Sequence, residues 1–289
     1  MAAASMDPLH AIRAALGTPA YDRHNVLLYE GDCIELMRRT PANVYDLTVT
    51  SPPYNIGKEY EAKRDVAEYV DWCAAWIAEV YRIAAADGAF WLNLGYLSVP
   101  NTARAIPIPY LLWDRVPFFL VQEVVWQYGA GVAAKLAYSP RNEKFLWYVR
   151  NKDAIYFNLD AVRDPNIKYP NQFKNGKRKV NLAGKNPGDV WSFPKVTSGR
   201  DRSSPERTPH PAQFPVAVIE RIIKGCSRRE ALVLDPFMGS GTTAEVAMKL
   251  GRPVVGIERN PDYIEMATRR LDRAADNFAA EREQFSMSN

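Results

Sequence analysis

The stretch VLDPFMGSGTT, Val233 to Thr243, reads as a hydrophobic strand that ends on Asp235-Pro236, turns on Gly239 and Gly241, and opens a helix at Thr242. Glycines at such a turn adopt backbone angles closed to other residues and leave the main chain open to a ligand. The next strand, PVVGIE, ends on Glu258, 23 residues beyond Asp235. A strand-end carboxylate at that spacing grips ribose hydroxyls. No lysine follows the glycines, which excludes a phosphate-cradling P-loop, and the third glycine of the dinucleotide fingerprint is missing. What remains is an adenosine-containing ligand without a pyrophosphate, or a glycine-rich turn with no ligand at all.

S-adenosylmethionine satisfies the first reading, with its ribose at Glu258 and its amino-acid end near Asp235 and the glycine turn. Working outward, PVAVIERIIKGC before the motif and YIEMATRRLDRAADNF after it are helical. The first half also alternates: NVLLYE, VYDLTV, AFWLNLG, FFLVQEVVWQY and KFLWYVR read as strands. Asp65 to Ala86 carries a broad apolar helical face that places Trp72 and Trp76 in the core, and Asp87-Gly88 is expected to end it. A short helix is expected around Ile108 to Asp114. This alternation predicts an α/β protein with an open, mainly parallel sheet covered on both faces.

VYDLTV runs into TSPPYNIG, Thr50 to Gly57. Two prolines cannot continue a strand, and Pro53 holds Pro52 extended. In a parallel sheet, ligands lie beyond the carboxyl ends of the strands, so this knuckle and the glycine turn can meet over one cleft. The hydroxyl of Ser51 and the carbonyl of Pro52 can accept the hydrogens of an exocyclic amino group, with Tyr54 stacked on the ring. Asn55 and Lys58 read equally as substrate contacts or as a solvated loop.

Of 289 residues, only three are cysteines, Cys33, Cys73 and Cys226, far apart in sequence. They suggest neither a disulfide framework nor a metal site, and fit a reducing compartment as buried side chains. His10 and His24 read as surface residues. No run approaches the ~18 apolar residues of a membrane span, and the N-terminus lacks a secretory pattern. Charge is uneven. From Arg163 to Arg207 there are eleven Lys and Arg against four Asp and Glu, while the remainder carries 26 basic and 29 acidic side chains. All the excess positive charge lies in one aromatic-bearing segment, which points to a polyanion.

At this point the chain resembles the DNA amino-methyltransferases. TSPPY matches their catalytic motif in the form beginning with Ser, typical of enzymes that methylate N4 of cytosine; the form beginning with Asp is typical of adenine N6 enzymes. DPFMGSGTT matches the cofactor loop. YEGDCIELM resembles the element whose acidic residue, here Asp32, contacts the cofactor's adenine amino group, and HPAQFPVAVIERII the element that closes over its methionine end. Catalytic motif before cofactor motif, with a variable segment between, resembles the permuted β group. Ala212 departs from the Thr common in adenine-type members, which leaves only His210 and Phe214 to carry over from that element. His210 reads equally as a turn residue between prolines.

The resemblance implies a Rossmann-like S-adenosylmethionine-dependent methyltransferase fold: a mostly parallel seven-stranded sheet with helices on both faces and a basic target-recognition insert. It divides the chain into an N-terminal tail and short helix (1–24), a catalytic half (25–150), the insert (151–209) and a cofactor half (210–289). It implies catalysis by Ser51, Pro52, Pro53 and Tyr54. Cofactor contacts are expected from Asp32, His210, Phe214, Asp235, Pro236, Phe237, Gly239, Ser240, Gly241, Thr242 and Glu258, with no metal. Lys174, Lys177, Arg178, Lys179, Lys185, Arg200 and Arg202 are expected to meet double-stranded DNA. The implied reaction is direct methyl transfer to N4 of a flipped cytosine. Cytosine C5 chemistry would need a positioned thiolate, and no cysteine lies near the two loops. Adenine N6 is the alternative target, an RNA or protein amino group a more distant one, and a non-catalytic DNA-binding protein the reading from another class. A bacterial, cytoplasmic setting near the nucleoid follows from the resemblance alone. The resemblance allows a homodimer and a separately encoded restriction endonuclease, and the sequence decides neither.

Overall fold

The computed structural model describes residues 8–59, 61, 63–129, 131, 133–196 and 204–287. Along the chain run α1 (Pro8–Leu16), β1 (Tyr21–Arg23), β2 (Val26–Glu30), α2 (Cys33–Arg39), β3 (Tyr45–Thr50), α3 (Val66–Ile83) and β4 (Ala84–Leu94). Then follow β5 (Tyr96–Val99), β6 (Ala103–Pro107), α4 (Ile108–Leu111), β7 (Phe119–Gln127) and β8 (Asn142–Val149). The region of excess charge holds the short strands β9 (Phe173–Lys174), β10 (Lys177–Arg178) and β11 (Val190–Ser192). The chain closes with α5 (Val216–Cys226), β12 (Val233–Asp235), α6 (Thr242–Lys249), β13 (Val254–Glu258) and α7 (Pro261–Met287).

The main sheet runs β1-β2-β13-β12-β3-β4-β8-β7-β11. Seven strands were expected. The seven from β2 to β7 in that order form the expected sheet, and β1 and β11, three residues each, extend its edges. Strands β2, β13, β12, β3 and β4 are parallel, whereas β8 is antiparallel to both β4 and β7. Catalytic and cofactor halves interleave, because β12 from the C-terminal half lies directly against β3 from the N-terminal half. From β3 the chain crosses to β4 on one side, and from β12 it crosses to β13 on the other. The reversal between β3 and β12 opens a crevice at their carboxyl ends, the place where α/β sheets bind ligands.

One face of the sheet is covered by α1, α2 and α3 through a cluster containing Ile12, Met37, Trp76, Ile77, Phe90 and Leu234. The other face packs α5, α6 and α7 through Val49, Trp91, Ile219, Ile223, Val246 and Leu271. Trp76 is wholly buried and Trp72 packs against the first cluster, as their spacing predicts. Helix α3 ends at Ile83, three residues earlier than expected, and Asp87-Gly88 lies inside β4. The register jumps from Tyr45 opposite Ala84 to Leu47 opposite Ala89, so the polar pair occupies a bulge instead of a turn. Helix α4 is a single turn over Ile108–Leu111, shorter than the expected span to Asp114.

The insert is ordered over most of its described length and part of it completes the sheet. Trp191, one of the aromatics of the basic segment, is 6% exposed and stacks on Trp91 at 5.6 Å, which in turn stacks on Trp147 at 5.4 Å. The Asn158 amide donates to the Gly225 carbonyl and seats the segment on α5. The β9–β10 hairpin is exposed, with Phe173 59% exposed under the Arg178 guanidinium. Among the described residues no helix is long and apolar enough to cross a membrane.

Candidate active site

The two loops meet through a buried carboxylate. Asp235, 1% exposed, accepts the Thr50 hydroxyl from the end of β3 at 2.7 Å, the Thr243 hydroxyl from α6 at 2.7 Å and the Phe237 amide at 3.1 Å. Burial pushes its carboxyl up to about 6 against the pull of those donors. Sequence reasoning placed Asp235 against the cofactor; in the structure its carboxylate ties the end of β3 to the glycine turn. Phe237 likewise faces inward, packing edge-on against Trp72 and Trp76 at 5.7 and 5.2 Å, and Pro236 is buried.

Gly239 and Gly241 have φ of +51° and +80°, the left-handed region that favours glycine. Glu258 supports the turn: Oε2 accepts the Gly239 amide at 2.8 Å, and Oε1 accepts the amides of Arg259 and Asn260, each at 2.9 Å. Gly241 precedes α6 without a side-chain cap, so the first amides of that helix are left for another acceptor. Asp32, at the end of β2 on the same edge, caps α2 through Oδ1 alone, accepting from Ile34 and Glu35.

His210 lies on the glycine turn: a Cβ at Gly239 would come within 3.0 Å of its Nε2. Its ring meets Tyr263 edge-on at 4.4 Å, and its Nδ1 accepts the Ala212 amide at 3.2 Å. The residue between the two prolines is thus also a contact of the glycine turn. Phe214 packs against Phe145 at 5.9 Å, supporting the same loop. Burial lowers the His210 imidazole to about 4 from an ordinary 6.5. A histidine buried neutral binds its proton less tightly folded than unfolded, so its stabilisation is present above pH 6.5 and is lost as pH falls towards 4, roughly 3 kcal/mol in full. Paired urea titrations across that window are expected to show His210→Gln with a shallower loss of stability than the parent; parallel curves would reject the assignment.

Across the crevice, Ser51 Oγ and Tyr54 Oη lie 2.9 Å apart. Asn93 Oδ1 accepts from Tyr54 at 2.7 Å and from Ser51 at 3.4 Å. The Asn93 amide donates to the Lys144 carbonyl at 3.2 Å, which sets its oxygen toward the hydroxyls. Tyr54 also reaches Glu143 Oε2 at 3.2 Å, and Glu143 Oε1 accepts Lys195 Nζ at 2.6 Å. Tyr54 fits only because residue 95 is glycine: a Cβ there would sit 2.8 Å from Tyr54 Cε2. Burial, and then the Glu143 charge, push its phenol well above the ordinary range, so it stays protonated. The Pro53 carbonyl accepts the Tyr69 hydroxyl at 3.0 Å, whereas no donor among the described residues engages that of Pro52. Asn55 neither is solvated nor faces the crevice. It is 3% exposed at φ +61°, and its amide group exchanges hydrogen bonds with the Arg64 backbone while Glu61 accepts three loop amides.

Asn93, Glu143 and Lys195 escaped sequence reasoning. Asn93 had a usable signal, a polar residue inside the buried strand AFWLNL; the others are remote in sequence and ordinary in composition. All three cysteines are buried and held as thiols, each raised to about 12 chiefly by burial, which removes thiolate chemistry from the crevice. Of the expected DNA contacts, Lys174, Lys177, Arg178 and Lys179 are exposed on or beside the β9–β10 hairpin. Lys185 is paired with Asp164 at 3.2 Å, and Arg200 and Arg202 lie outside the described residues.

Residues 45–269 match the family model described as DNA methylase, N6_N4_Mtase. Type II methyltransferase M.ScaI of Streptomyces caespitosus is 61% identical over 267 residues, covering 92% of this chain and 88% of that protein. DNA adenine methyltransferase YhdJ of Escherichia coli (strain K12) is 34% identical over 268 residues, covering 88% and 85%. The structure of PvuII DNA methyltransferase (cytosine-N4-specific) superposes with a TM-score of 0.69 at 21% identity, covering 91% of this chain and 94% of that one. That last likeness speaks to the fold alone.

Proposed function

We propose, because this chain belongs to the DNA methylase family, that it transfers the methyl group of S-adenosylmethionine to the exocyclic N4 amino group of a cytosine flipped out of duplex DNA. The observation that carries this reading is the polarity of Ser51. Its proton and that of Tyr54 both find acceptors inside the protein, at Asn93 and Glu143. The remaining lone pairs of Ser51 Oγ are left to accept from a target amino group, beside the unengaged carbonyl of Pro52. Two acceptors on one amino group draw its nitrogen out of conjugation with the ring and free a lone pair. Tyr54 and Pro53 frame the ring on that side of the crevice.

The chain's residues also fit the cofactor. Asp32 Oδ2 carries no hydrogen bond among the described residues and suits an adenine amino group. Among the described residues Glu258 Oε2 accepts only the Gly239 amide, which leaves a lone pair for a ribose hydroxyl. The uncapped start of α6, with Ser240 and Thr242, faces the carboxylate end, and His210 covers the turn uncharged. When bound, S-adenosylmethionine supplies an electrophilic methyl on a sulfonium. Holding both reactants in line contributes up to about 7–11 kcal/mol in favourable cases. The hairpin carrying Lys174, Lys177, Arg178 and Lys179 grips phosphates, joined by Lys185 where phosphate competes with Asp164 for it, and makes binding salt-dependent.

Adenine N6 is the second reading, favoured by the likeness to an adenine methyltransferase across most of both chains. Labelled cofactor with mixed genomic DNA, digestion to nucleosides and mass spectrometry decide between them. The expected product is N4-methylcytosine. N6-methyladenine would keep the crevice and refute the inference from Ser51, and no methylated base would refute the activity.

A further inference from the structure

Glu143 is the second residue of β8, and no element of the sequence motifs points to it. It is largely buried, its side chain 14% exposed, at the centre of a polar cluster drawn from four segments. Tyr54 comes from the loop after β3, Tyr128 (3.4 Å from Oε1) from the end of β7, and Lys195 from the segment after β11. The Lys195 ammonium also lies 4.0 Å from the Tyr128 ring centroid, enclosing the carboxylate. A carboxylate this enclosed costs several kcal/mol unless paired, and among the described residues Lys195 pairs it. Its second oxygen is turned to the active-site tyrosine.

We propose that Ser51, Tyr54 and Glu143 form a proton relay that removes the amino proton during methyl transfer, with Lys195 positioning the acceptor. The inference rests on the amino-methyltransferase reading above. Ser51 alone is a poor base, because its hydroxyl does not titrate near neutrality. The relay resolves this. As the amino nitrogen's lone pair forms the N–C bond, the C–S electrons return to sulfur and the nitrogen becomes cationic. One of its protons passes to Ser51 Oγ, that of Ser51 passes 2.9 Å to Tyr54 Oη, and that of Tyr54 passes 3.2 Å to Glu143 Oε2. The products are a neutral methylamino group, a thioether and a neutral Glu143, which releases its proton to solvent between turnovers. Each hydroxyl has one proton, so the contacts to Asn93 Oδ1 are the resting orientation, from which both hydroxyls turn to their relay partners; the amide oxygen is too weak a base to take the proton itself.

A relay in series predicts non-additivity. Glu143→Gln and Tyr54→Phe are each expected to lower the single-turnover rate about tenfold, a modest share of what proton transfer contributes, with KM for DNA and cofactor unchanged. The double variant is expected to lose no more than either single one. Additive losses, or a raised KM without a slower rate, would overturn the relay. A second readout needs only the parent protein: its single-turnover rate is expected to be slower in D2O than in H2O, and equal rates would overturn the relay whether or not the variants fold. If the parent itself methylates no base, the failure belongs to the activity and not to the relay.

Discussion

Ser51→Ala is expected to lower turnover by about a hundredfold or more, the scale seen when one preorganised partner of a developing charge is removed, while S-adenosylmethionine affinity stays within a factor of two or so. On the proposed function, alanine removes the acceptor for the target amino group and the first member of the relay together. It leaves Asp235, Glu258, His210 and the glycine turn in place, since none of them bonds to Ser51. The cost is concentrated in the chemical step, because the charge that Ser51 meets appears only as the N–C bond forms. Calorimetric titration of the cofactor and single-turnover methylation, measured on the same preparation, separate the two effects. Intact turnover would remove Ser51 from catalysis, whereas a parallel loss of cofactor binding would mean that the crevice itself had collapsed.

The second large effect lies behind the cofactor loop. Arg270 on α7 is 2% exposed, ion-paired to Glu245 on α6, and donates to the Thr242 hydroxyl at 2.9 Å and the Ser240 hydroxyl at 3.3 Å. Burial would raise the Glu245 carboxyl, but Arg270 and then Lys249, at 2.5 Å, hold it below its ordinary value. Arg270→Ala strands that carboxylate with Lys249 alone, and breaking a buried pair from one side costs about 3–5 kcal/mol. Urea unfolding is expected to show a loss of that size. Replacing both partners, Arg270→Met with Glu245→Leu, is expected to recover most of it, since well-packed apolar residues escape the desolvation cost. Cofactor affinity should not recover, because Ser240 and Thr242 would still lack their donor. Recovery of both would mean that Arg270 supports only the helix packing.

Particular residues show why some of this was legible beforehand. The glycine turn and the Pro-Pro knuckle were readable because backbone chemistry is local: a left-handed φ and a missing amide constrain the chain wherever they occur. Trp72 and Trp76 were readable because a helix repeats its faces. The basic segment was legible only in part: its charge and aromatics are visible in the residues, but only the pairing of β11 with β7 shows that Trp191 finishes the core. Asp87-Gly88 misled for a related reason, since a bulge and a turn use the same residues and differ only in what lies across the strand.

The sequence by itself determined the sheet and helix alternation, the two strand-end loops, the likeness to a methyltransferase family and the segment that carries the excess positive charge. All of these depend on residue type and spacing within one or two turns of chain. Tertiary structure alone decided what each side chain does at the crevice. Asp235 became a tie because β12 lies against β3, 185 positions from Thr50. Glu143 reached Tyr54 across 89 positions because β8 folds back on β4. A hydrogen bond acts only over about three ångströms, so its partners are chosen by which strands are neighbours, and that choice is made by the whole buried core at once.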